Sequence, residues 1–106
     1  MKNILFICSR NKWRSLTAET IYKNNSEFKA KSAGTENSAR VKINSKLLLW
    51  ADLIFVMEKH HKEKLLQNFQ GETKNIKIII LEIPDIYKFM DKELIEELQM
   101  SVSAYL

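Results

Sequence analysis

A chain of 106 residues holds one hydrophobic core and not two, so residues 1–106 are read as a single domain. Hydrophobic residues make up 45% and charged residues 28%, which excludes an intrinsically disordered chain. With 17 Lys+Arg against 13 Asp+Glu the net charge is +4, and it is scattered as Lys29, Lys31, Lys42, Lys59, Lys62 and Lys64 among acids, a pattern that suits anionic ligands and argues against nucleic acid.

The first element is Ile4 to Cys8, where Ile4-Leu5-Phe6-Ile7 predicts a strand buried on both faces. After the loop Cys8 to Ser15, a helix is expected from about Ser15 to Asn24, with Ala18, Ile21 and Tyr22 inward and Asn24-Asn25 ending it. Phe28 to Ser32 alternates, as an edge strand does. Asn44 or Ser45 can cap a short helix carrying Leu47, Leu48 and Trp50. Leu53 to Met57 reads as another strand buried on both faces, and about Lys59 to Phe69 as a helix with the stripe Leu65, Leu66 and Phe69, broken at Gly71. Within Ile76 to Leu81, the run Ile78-Ile79-Ile80-Leu81 again reads as buried on both faces. The last helix starts near the cap Asp91 and sets Leu94, Ile95, Leu98, Val102 and Tyr105 on one side. Alternating strands and helices predict an α/β fold, a parallel sheet with helices on its faces.

The single cysteine excludes an internal disulfide framework, and no Cys/His spacing resembles a metal site. The apolar opening is too short for a signal peptide and no segment is long enough to span a bilayer, so the expected setting is cytoplasmic, with no membrane. His60-His61 are read as exposed surface, because neighbours on a helix point apart and no further ligand stands at a suitable spacing.

The chemistry sits at the end of the first strand: Cys8-Ser9-Arg10-Asn11-Lys12-Trp13-Arg14-Ser15. In an open α/β sheet, ligands bind at the carboxyl ends of the strands. Converging loop amides and a helix N-terminus favour an anion there, and with nearby cations they favour the thiolate of a cysteine. Cys8 is then the nucleophile, and Arg14, a planar fork of donors, holds two phosphoryl oxygens. Ser15 can donate to the Cys8 sulfur, and Asn11 tolerates a left-handed backbone. Trp13, inside the loop, either stacks on an aromatic substrate or covers the helix.

Asn3-Ile4-Leu5-Phe6-Ile7-Cys8, then Asn11, Arg14-Ser15 and Ala18-Glu19, resembles the low-molecular-weight protein tyrosine phosphatases. Ser32-Ala33-Gly34-Thr35 resembles that family's second strand and turn, Ala51 to Glu58 its third strand, and Pro84-Asp85-Ile86-Tyr87 its acid loop. The resemblance implies a four-stranded parallel sheet of order 2-1-3-4 with helices on both faces, and no metal or cofactor. It implies that Cys8 attacks phosphorus, that Asp85 protonates the leaving oxygen, and that water then hydrolyses the cysteinyl phosphate with Asp85 as base. Ser9, Arg10, Asn11, Lys12, Trp13 and Ser15 would form the substrate loop and Tyr87 the entrance, with a phosphorylated protein or small phosphate ester as partner.

The chain also departs from the pattern. Arg10 stands for the family's glycine, Lys12 for an aliphatic residue, Trp13 for a second cysteine, Leu16 for a proline and Ile86 for the proline after the acid. Between Gly34 and Ala39 a long helical segment is skipped, which opens the pocket. Two other functions stay open on these residues: a phosphate-binding module with little turnover, and an arsenate reductase, whose thiol relay needs more cysteines than Cys8.

Overall fold

The computed structural model describes residues 2–106. Its elements are β1 (Lys2–Cys8), α1 (Arg14–Tyr22), β2 (Phe28–Gly34), α2 (Ser45–Trp50), β3 (Leu53–Val56), α3 (Lys59–Asn68), α4 (Gln70–Thr73), β4 (Lys77–Ile80) and α5 (Lys92–Ser103). The strands form one parallel sheet in the order β2-β1-β3-β4.

Because β1 is central, alternate side chains enter two separate cores. Ile4, Phe6 and Cys8 face α1 and α5, packing with Ala18, Phe55, Leu94, Leu98 and Val102. Leu5 and Ile7 face α2 and α3, packing with Leu48, Ile54, Val56 and Leu65. Phe6 lies between Tyr22 and Phe55, with ring centroids at 5.9 and 5.5 Å. Each such fully buried side chain contributes ~2 kcal/mol, so the strand that carries Cys8 is firmly held in the middle of the sheet.

Local chemistry sets the helix starts. The Asn44 side chain accepts from the Leu47 N–H at 2.9 Å, and Asp91 accepts from Glu93 at 2.8 Å, each satisfying a first-turn donor. Three expectations need correction. The helix after β3 ends at Phe69, whose φ of −134° and ψ of 55° break it, and Gly71 lies inside α4. β4 is an edge strand, so Ile78 and Ile80 are only partly covered, while Ile79 and the following Leu81 are buried. Tyr105 falls beyond α5 and is 46% exposed, although its ring packs edge-on against Phe55 at 5.8 Å.

Candidate active site

β1 ends at Cys8, and the chain turns through residues 9–13 before α1 begins at Arg14. What shapes this turn is the fate of its carbonyls. The N–H of Thr35 donates to Cys8 O at 3.0 Å, that of Glu36 to Ser9 O at 2.9 Å and that of Arg40 to Arg10 O at 2.9 Å. Arg40 Nε donates to Asn11 O at 3.3 Å. Four successive carbonyls are therefore drawn toward the segment 35–40. Among the described residues, no protein acceptor takes the N–H groups of Arg10, Asn11, Lys12 or Trp13. Trp13 occupies the N-cap of α1 without a side-chain hydrogen bond, so the first helical amides also lack a side-chain cap. A turn with its acceptors outward and its donors in reserve, continued by a helix N-terminus, has the donor arrangement that suits an anion.

Asn11 adopts φ 55°, the left-handed conformation that Asn enters at low cost. Arg10 is not in the left-handed region, so the absence of glycine there introduces no backbone strain. Its side chain is exposed and pairs with Glu36 at 3.3 Å. The glycine that the turn requires is Gly34, at the end of β2. A Cβ there would lie 2.5 Å from Ser9 O and 2.8 Å from Asn11 N, so only glycine lets this strand end approach the loop.

Beneath the turn runs a buried hydrogen-bond chain. The Ser32 hydroxyl donates to Glu19 Oε1 at 2.6 Å. Asn11 Nδ2 donates to Ser32 Oγ at 2.8 Å and to Ser15 Oγ at 2.7 Å. Ser15 Oγ lies 2.9 Å from Cys8 Sγ and 3.3 Å from Ala33 O. Ser15 accepts from Asn11, and its single hydrogen can go either to Ala33 O or to the Cys8 sulfur.

Arg14 is 2% exposed and held from outside the loop. Its Nη1 donates to Glu58 Oε1 at 2.5 Å and to Ile83 O at 2.8 Å, and its Nε lies 3.7 Å from Asp85 Oδ1. Burial alone would raise the Glu58 pKa, but the hydrogen bond and charge of Arg14, then those of His60, hold it below the ordinary carboxylate range. Ile83 is fixed in turn by donating to Met57 O at 2.8 Å, and Met90 donates to Thr17 Oγ1 at 2.9 Å, so the loop bearing Asp85 is tied at both ends.

Cys8, Ser9, Arg10, Lys12, Trp13, Arg14 and Asp85 line one small cavity. Lys12 Nζ sits 5.4 Å from the Trp13 ring centroid at its rim. Asn11 and Ser15 are fully buried under the loop, outside that lining. Tyr87 is also outside it, packed against the core beside α5, and its hydroxyl pKa is raised by desolvation and then by Glu97, Glu93 and Asp91.

The histidine pair is a correction. His60 is half-exposed, but His61 is fully buried, with Nε2 2.8 Å from Ser9 Oγ. Glu58 and His61 were missed as members of the site. The signal lay in their place: they follow β3, which adjoins β1, so their turn must open onto the same end of the sheet. Glu58, His60 and His61 bring metal-ligating atoms within 4.8 Å of one another, yet Glu58 Oε1 is committed to Arg14 and both ring nitrogens of His61 are hydrogen-bonded.

No family model matches the chain, and no curated protein matches it. Solved structures do. The tyrosine phosphatase Wzb from Escherichia coli K30, in complex with phosphate, is 23% identical with a TM-score of 0.76, over 98% of this chain and 95% of that one. The low-molecular-weight protein tyrosine phosphatase SP-PTP from Streptococcus pyogenes is 17% identical with a TM-score of 0.76, over 100% and 94%. A YwlE mutant from Bacillus subtilis is 19% identical with a TM-score of 0.73, over the whole of both chains. The chain has the fold of the low-molecular-weight protein tyrosine phosphatases.

Proposed function

We propose that this chain is a divergent, shortened low-molecular-weight phosphatase that hydrolyses phosphate monoesters, phosphotyrosine-like in kind, through a cysteinyl-phosphate intermediate. The observation that carries this reading is the turn whose carbonyls from Cys8 to Asn11 all bond outward, leaving amides and one buried guanidinium around the Cys8 end of the cavity. Such a ring stabilises the three equatorial oxygens as charge spreads over them during transfer.

In the first step the Cys8 sulfur attacks phosphorus and the bond to the ester oxygen breaks, with Asp85 giving that oxygen a proton. In the second, water attacks the phosphocysteine, Asp85 takes its proton, and phosphate leaves with the thiolate restored. Ser15, as donor to Sγ, stabilises sulfur when it is charged. Arg14 spends Nη1 on Glu58 and Ile83, which leaves Nε and Nη2 for the anion. Lys12 and Arg10 add positive charge at the rim and draw a phosphorylated protein or small ester toward it. A reducing, cytoplasmic setting would keep Cys8 a thiol.

The test is hydrolysis of p-nitrophenyl phosphate. Wild type should turn it over, Cys8→Ser should not, and Asp85→Asn should be slowed by about a hundredfold or more. Inert wild type that still binds vanadate or inorganic phosphate would establish a binding module instead.

A further inference from the structure

His61 lies on α3, outside the loop assigned to the chemistry, yet it is fully buried and bonded to that loop. Its ring is held at both nitrogens. The main-chain N–H of Glu58 donates to Nδ1 at 3.0 Å, and Nε2 is 2.8 Å from Ser9 Oγ. A backbone donor at Nδ1 settles the tautomer: Nδ1 carries the lone pair and Nε2 the hydrogen. The ring is also neutral, because burial first, and then the charges of His60 and Arg14, push its pKa down to about 3.

Nε2–H therefore donates and Ser9 Oγ accepts. A hydroxyl whose lone pair is filled from one side keeps its own hydrogen for another partner, and Ser9 lines the cavity. We propose that His61 is a positioning residue of the phosphate loop, fixing the Ser9 hydroxyl as a donor to the anion bound above Cys8. The proposal rests on the reading of the loop as a phosphate cradle. One turn at the start of α3 then aligns both ends of the loop, since Glu58 in the same turn holds Arg14.

Two conservative variants separate this role from helix capping. In His61→Asn the amide reaches only as far as Nδ1, so it can accept from Glu58 but cannot reach Ser9. In His61→Gln the amide nitrogen reaches the position of Nε2. The readouts are inorganic phosphate affinity by calorimetry, kcat and KM for p-nitrophenyl phosphate, and thermal midpoint. A hydrogen bond to a charged group sets the scale: His61→Asn and Ser9→Ala should each weaken phosphate binding about tenfold. The double variant should be no worse than either, and His61→Gln should recover most of the loss.

Additive losses in the double variant, or a Gln variant as poor as Asn, would show that His61 acts only through stability and overturn the proposal. So would phosphate affinity indifferent to both Ser9→Ala and His61→Asn in a chain that otherwise binds phosphate. Wild type that binds no phosphate at all would instead overturn the cradle reading beneath it.

Discussion

Acidification should destabilise this protein through one side chain. His61 is buried as a neutral ring with its pKa pushed down to about 3, whereas in the unfolded chain it protonates near ~6.5. Above ~6.5 both states leave it neutral and its contribution to stability is full. As pH falls from there toward about 3, the unfolded chain takes up a proton that the folded one refuses, and stability is lost. At about pH 5 the loss amounts to ~1.5 units at ~1.4 kcal/mol each, or ~2 kcal/mol, whatever the folded value so long as it lies well below 5. For a domain of this size that is ~10 °C in thermal midpoint. Glu58 does not blur the window: its carboxyl is depressed, so its contribution fades only below the ordinary value of 4.5. The assay is urea unfolding at about pH 7.5 and about pH 5, on wild type and His61→Gln. Wild type should lose ~2 kcal/mol more than the variant between these conditions. Equal losses would refute the claim that His61 is held neutral in the folded state.

Other substitutions probe the supports of the site. Gly34→Ala should push the loop away from β2, since its Cβ would sit 2.5 Å from Ser9 O, and should lower both phosphate affinity and thermal midpoint. Arg14→Lys removes the planar fork and leaves Glu58 with a poorer partner; kcat/KM for p-nitrophenyl phosphate should fall ~100-fold or more. Leu98→Ala, in the fully buried face of α5, should cost ~3 kcal/mol in urea unfolding while leaving kcat per folded molecule near wild type.

What was legible in the sequence was whatever is decided locally. The apolar run Ile4 to Ile7 is a buried central strand, Asn44 and Asp91 cap the helices that follow them, and the turn after Cys8 has its left-handed residue at Asn11. Each depends on a few neighbours in the chain. The rest depends on where segments far apart in sequence meet. Ile78 to Ile80 carry the same apolar pattern as Leu53 to Val56, and only their place at the sheet edge leaves Ile78 and Ile80 partly exposed. His61 looked like a surface residue beside His60 until the pairing of β3 with β1 set its turn over Ser9, 52 residues away in sequence. The outward carbonyls of the loop were equally hidden, because their donors come from residues 35–40, a segment without regular structure of its own.

In the proposed mechanism the Cys8 sulfur carries the phosphoryl group. Acid-quenching the wild-type chain during turnover of p-nitrophenyl phosphate, digesting it and mapping phosphate by mass spectrometry tests this directly. The expected result is phosphate on the peptide containing Cys8, absent from Cys8→Ala. Turnover with no phosphate on that peptide, or a Cys8→Ala chain that hydrolyses at the wild-type rate, would contradict it.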